Sequence, residues 1–116
     1  MARDVRASLL DMVQAIDRTM ALSDGYDEGR FLADERTQWA VYSQIVILGE
    51  AAGRLPREFC DEHPAIPWAA VTGMRHRLVH GYDAVDWIRV WATIRGDLAH
   101  LRAEVNTILE AMNGTD

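Results

Sequence analysis

Two arginines, two histidines and a tyrosine fall within the ten residues GMRHRLVHGY, positions 73 to 82, of a chain that contains no lysine. Arg75, His76, Arg77, His80 and Tyr82 combine permanent positive charge, proton carriers that titrate near neutrality and a phenol. Arginine donates in a planar fork that fits phosphate oxygens, and an imidazole with a reference pKa of about 6.5 can serve as general base or general acid. Such a set can bind a phosphate and move a proton beside it. Arg75 and His80 are five positions apart, about 140° around an ideal helix, so they do not stack, although arginine is long enough to reach round. His76 and His80, four apart, would share a helix face and could jointly contact a phosphate or a metal.

Two plainer readings compete. The macrodipole favours cations at a helix C-terminus, so arginines and histidines at such an end can be solvated charge and nothing more. Cys60 and His63, followed by His76 and His80, also imitate the spacing of a finger-type zinc site. Against zinc, the second ligand is histidine instead of cysteine, no strand hairpin precedes it, and Pro64, Pro67 and Trp68 read as turn and core. No metal and no other cofactor is expected. Cys60 is the only cysteine, so no intramolecular disulfide can form, which fits a reducing compartment.

The elements that must position these residues read as helices. Leu9, Met12, Val13, Ile16 and Met20 recur with a helical period from Val5, with Asp4, Arg6, Asp11, Gln14 and Asp17 on the other side. SDGYDEG breaks that helix, and Asp34 suits the N-cap of a second one carrying Trp39, Tyr42, Ile45, Val46 and Leu48. The small residues of GEAAG leave room for another backbone, and Pro56 marks the end. PREFCDEH makes a short helix. Pro67 suits a first turn, and PWAAVTGMRHRLVH follows with Trp68, Val71, Met74 and Leu78 inward and Gly81 as a stop. Trp87, Trp91, Ile94, Leu98, Leu101, Val105, Ile108 and Met112 step by four and three along one long final helix, which Asp83 or Asp86 can cap. Nothing alternates with period two over strand length. The expectation is a single domain over residues 1–116, an all-α, up-and-down bundle of four main helices and a short fifth. The long final seam and the small-residue face of the second helix exceed what a small bundle covers, which points to a homodimer.

Composition bounds the partners. The formal net charge of −6 argues against broad attraction to a phosphate backbone, so any nucleic-acid site must be local. Arg75 and Arg77, doubled by dimerisation and joined by Arg54 and Arg57, would form a positive island on an acidic body; Arg54 and Arg57 stay outside the catalytic set. Glu50, the one charge in an apolar stretch, either pairs with an arginine near the cleft or faces solvent or the dimer rim. The four tryptophans read as core or dimer contacts. The longest nearly apolar run, IVILGEAAG, is too short to cross a bilayer, and MARDVRASLL lacks a signal-peptide core, so a cytoplasmic protein without a membrane role is expected.

RHRLVHGY resembles the signature of the HEPN superfamily: an arginine, a polar residue after it, then a histidine at short spacing, here Arg75, His76 and His80. Tyr82, two residues after the histidine, is similar to the HepT toxin branch. ILGEAAGRLP, PAIPWAAVTGMRHRLVHGYDAVD and the VW of the last helix agree, and the resemblance runs from LLDMVQAI to about Leu98. It implies a helical bundle that dimerises with both signatures lining one cleft, and a metal-independent endoribonuclease acting through 2′-hydroxyl attack. Arg75 and His80 would be catalytic, with His76 and Arg77 supporting the substrate. It further implies the toxin of a toxin-antitoxin module, paired with a nucleotidyltransferase antitoxin that silences it by adenylylation of Tyr82. The alternative is an inactive HEPN subunit that binds a nucleotide or substrate for its nucleotidyltransferase.

Overall fold

The computed structural model describes residues 4–80 and 84–114; the side chains of Val79 and His80 also lie outside what is described. Asp4 caps α1 (Val5–Leu22), its carboxylate accepting from the Arg6 N–H at 3.1 Å. Leu9, Met12 and Ile16 are fully buried along one stripe, joined by Ala15 and Thr19, while Met20 is exposed. The turn that follows contains Gly25 at φ 76°, a left-handed conformation that glycine adopts without a steric cost.

Inside the stretch read from sequence as a break lies α2 (Glu28–Leu32), capped by Asp27 and anchored by the fully buried Phe31. Asp34 then caps α3 (Glu35–Gly53), as its position suggested. Its carboxylate accepts from the Thr37 N–H at 3.1 Å, the Thr37 hydroxyl at 2.8 Å and the Tyr26 hydroxyl at 2.6 Å. Val41, Ile45, Leu48, Ala51 and Ala52 form the buried face of α3. The short helix α4 (Arg57–Glu62) starts after Pro56.

The remaining elements are α5 (Trp68–Thr72), α6 (Met74–Leu78), β1 (Val79–His80), β2 (Ala84–Val85), α7 (Trp87–Gly96) and α8 (Leu98–Gly114). Helix α1 packs along α3 and against α8, while α5 and α6 lean on α3, and α7 on α2 and α6. The all-α class holds, with one two-residue antiparallel strand pair among the described residues. The helix count differs from the expected four and a fifth. Gly73 divides the helix expected through residue 80, Asp97 divides the long final one, and α2 is additional.

The small-residue face of α3 and five of the eight seam residues pack within the chain, while Trp87, Ile108 and Met112 are half-buried. A Cβ on Gly49 would lie 3.6 Å from the carbonyl oxygens of Val71 and Thr72, so the small-residue face of α3 receives α5. Along the final seam Trp91, Ile94, Leu98, Leu101 and Val105 are buried against the chain's own core. The larger apolar side chains left exposed include Trp39 on α3 and Ile88 on α7. Trp68 and Trp87 pack half-buried against the core, and Glu50 is exposed on the surface of the chain. No helix among the described residues is long and apolar enough to cross a membrane.

Candidate phosphate-binding and proton-transfer site

Helix α6 has five residues, and its first and last, Met74 and Leu78, are both buried. Residues four apart share a helix face, so these two anchors leave the three positions between them to fan across the outer surface. Arg75, His76 and Arg77 are accordingly all exposed. At about 100° per residue, Arg75 and Arg77 point roughly 200° apart, toward opposite flanks of the helix.

The helix stops at Leu78 because the chain turns into a hairpin. The Leu78 carbonyl accepts the Asp86 N–H at 2.7 Å, and Val79 pairs with Val85 and His80 with Ala84. This corrects the expectation that His76 and His80 share a helix face: His80 sits in β1, where the period is two residues instead of 3.6. The expected stop at Gly81, the alternative cap Asp83 and the motif residue Tyr82 lie outside the described residues. Of the two candidate caps, Asp86 caps α7, its carboxylate accepting from the Arg89 N–H at 3.0 Å.

Arg89 is the residue that sequence reasoning missed. Its Nη1 donates to the Arg77 carbonyl at 3.3 Å, at the C-terminal end of α6. Arg77 in turn donates from Nη2 to the Ala70 carbonyl of α5 at 3.1 Å. A signal was present in the sequence: Arg89 stands three residues after a capping aspartate, in the first turn of a helix, where the macrodipole disfavours a cation.

Among the described residues no carboxylate lies within ion-pair distance of Arg75, Arg77 or Arg89. Arg54, by contrast, approaches Asp11 at 3.6 Å, and Arg102 meets Asp17 at 2.5 Å, a contact that raises the arginine's already high pKa. Arg54 is therefore partly neutralised, and Arg89 joins the α6 arginines among the cations near the site.

No group of three His, Cys, Asp or Glu side chains among the described residues could hold a metal ion, so Cys60, His63 and His76 do not assemble as a finger-type site. Instead the His63 ring lies against Phe59 at 4.5 Å, and its carbonyl accepts the Trp68 indole N–H at 3.0 Å. Burial, and then the charge of Asp61, push the Cys60 thiol above its ordinary pKa, which disfavours the thiolate that a metal would need.

The family model for ribonuclease HepT-like proteins matches residues 12–108. A probable ribonuclease HepT of Thermococcus cleftensis is 33% identical over 98 residues, covering 84% of each chain. A candidate RNase of Methanocaldococcus jannaschii is 27% identical over 114 residues, 98% of this chain and 94% of that one. A candidate RNase of Caldanaerobacter subterraneus is 35% identical over 80 residues, 69% of this chain and 71% of its own. No solved structure matches the chain.

Proposed function

The chain belongs to the HepT-like ribonuclease family, and from that premise we propose that it is an endoribonuclease toxin that cuts RNA without a metal. The observation that carries the reading is the exposed row Arg75, His76 and Arg77, whose arginines have no carboxylate within ion-pair distance among the described residues, at the foot of the strand that bears His80. Cations at a helix end are placed to receive a phosphodiester, and an imidazole beside them supplies the proton carrier that transesterification requires.

In the proposed reaction the ribose 2′-oxygen attacks phosphorus and gives its proton to one His80. Arg75 stabilises the charge that develops on the phosphorane, and the bond to the 5′-oxygen breaks as that oxygen takes a proton from a second imidazole. The products carry a 2′,3′-cyclic phosphate and a 5′-hydroxyl, with no change of oxidation state. One His80 cannot be base and acid in a single step, so the second comes from another copy of the chain across a two-fold axis. His76 and Arg77 support the substrate. In the cytoplasm a nucleotidyltransferase antitoxin would silence the enzyme by adenylylating Tyr82, adding negative charge and bulk where RNA phosphate must enter.

Wild type should arrest growth and cut RNA in the presence of a metal chelator. Arg75→Ala and His80→Ala should each lower the cleavage rate by about 10²- to 10³-fold, on the scale of losing one transition-state donor, while remaining folded. Tyr82→Phe should keep the toxicity and lose the modification by the partner nucleotidyltransferase and ATP, read as an unchanged mass. A wild-type protein that neither arrests growth nor cuts RNA would replace this reading with that of a substrate-binding subunit.

A further inference from the structure

Between α6 and α7 runs a groove of about 550 Å³ lined by Arg77, Leu78, Arg89, Ala92, Thr93 and Asp97. Both of its arginines are anchored: the Arg89 guanidinium hydrogen-bonds the Arg77 main chain at 3.3 Å, and the Arg77 guanidinium is tied to the Ala70 carbonyl at 3.1 Å. Each of these hydrogen bonds uses one of the five N–H donors of a guanidinium. Neither arginine has a carboxylate within ion-pair distance among the described residues. Two like charges walling one groove repel each other, and Arg89 carries the added cost of a cation in the first turn of α7. An anion between them removes both costs.

We propose that this groove is a second phosphate subsite, in which Arg89 and Arg77 hold a phosphate of an RNA nucleotide flanking the one cut at Arg75. The inference rests on the ribonuclease reading for the identity of its ligand. It is a separate subsite because Arg77 faces about 200° away from Arg75 around α6, a helix of one and a half turns that a single strand can cross. The other polar groups of the groove bound the position of the anion. The Thr93 hydroxyl is committed as a donor to the Arg89 carbonyl at 3.0 Å. Asp97, which follows the last residue of α7, carries the opposing charge, so the phosphate sits at the arginine end. Arg89 is thus a positioning residue: it sets affinity and register without touching the reacting atoms.

The test uses the full chain, a single-stranded RNA whose 2′-O-methyl groups block cleavage, and the same sequence unmodified. For Arg89→Gln, which keeps a donor for the Arg77 carbonyl but loses the charge, the slope of log affinity against log salt should fall by about 0.7 for each lost phosphate contact. KM should rise several-fold with kcat changed less than two-fold, and Arg89→Lys should recover most of the salt slope. Asp97→Asn should tighten binding of the blocked RNA by a few-fold without changing the slope, which tests the groove even if Arg89→Gln fails to fold. A folded Arg89→Gln with wild-type slope and KM overturns the subsite, as does an Asp97→Asn protein of unchanged affinity. Wild type that binds the blocked RNA through Arg89 but never cuts the unmodified one overturns the ribonuclease reading alone.

Discussion

Gly73 and Gly96 stand at the ends of α5 and α7, and the space around them differs. A Cβ on Gly73 would come within 3.0 Å of the Ala69 carbonyl oxygen, whereas one on Gly96 would meet nothing within 4 Å. The Ala69 oxygen has little freedom to give way, because the Gly73 N–H holds it at 3.0 Å and the Thr72 hydroxyl at 3.2 Å. Across Gly73 the hydrogen bonds from Gly73 to Ala69 and from Arg77 to Gly73 continue the helical ladder, and Val71, Met74 and Leu78 go inward with the cations of α6 outward. Beyond Gly96 the direction of burial barely changes. Ile94, Leu98 and Leu101 continue one stripe, and hydrogen bonds from Asp97 to Thr93 and from Leu101 to Asp97 carry the helical ladder across the junction. Gly73 is small because the site segment needs it to be; Gly96 is a weak helix former in open space.

The largest effect that would sharpen this contrast is expected from Gly73→Ala. Helix propensity favours alanine by about 1 kcal/mol, but forcing a methyl against a fixed carbonyl costs typically about 1–3 kcal/mol, so stability should fall. The displacement falls on α6, so cleavage should drop more steeply than the loss of folded protein explains. Chemical denaturation together with RNA cleavage at a temperature where both proteins are folded measures the two parts. A Gly73→Ala protein more stable than wild type and fully active would erase the distinction between the junctions.

That contrast also marks what could be read before the structure. Leu9, Met12 and Ile16, or Ile45 and Leu48, belong to helices of 18 and 19 residues, and periodicity over such lengths identifies both helix and buried face. Asp34 and Asp86 were legible as caps because a carboxylate before an apolar run has a local partner, the N–H three residues on. The helix α2 was hidden by its length: five residues leave no period to detect, and Phe31 is one buried side chain among charges. The breaks at Gly73 and Asp97 were hidden for a related reason, since apolar spacing and i to i−4 hydrogen bonds carry on through both. At the site, Arg75, His76 and Arg77 were legible from residue type, while the strand conformation of His80 depends on pairing with Ala84. Arg89 required the contact to Arg77, twelve residues away in sequence.

Helix α3 contains Gly49 in its interior and is not interrupted there, the ordinary 3.6 Å approach of the α5 carbonyls demanding no break. Its start is instead tied down by Asp34, whose carboxyl is held at about 2 by the Tyr26 hydroxyl first, then by the N–H and hydroxyl of Thr37. A carboxylate with a depressed folded pKa stabilises the fold above its unfolded value and loses that contribution as the pH falls through the folded one. The stabilisation should therefore be complete above about pH 4 and disappear toward pH 2. Asp34→Asn keeps a capping oxygen without the charge, so the Tm gap between it and wild type should be widest near neutrality and close across that interval. A gap that is constant with pH would show that α3 does not depend on the charged cap, and would leave packing at its glycine as the only feature setting it apart from α5 and α7.

The smallest effect belongs to Gly96→Ala. Gly96 is the last residue of α7, its backbone is outside the left-handed region, and open space lies where the methyl would go. Alanine loses less backbone entropy on folding than glycine, which should raise stability by about 0.5–1 kcal/mol. For a chain of this size that is a Tm increase of a few degrees. Cleavage should stay at the wild-type level, because the added methyl does not reach the groove walled by Arg77 and Arg89. Stabilisation with unchanged activity at residue 96, set against destabilisation with lost activity at residue 73, would show that only one of the two helix breaks is required by the site. If Gly96→Ala also depressed cleavage, the bend between α7 and α8 would itself be part of the RNA path, and the open space beside Gly96 would be room that the substrate uses.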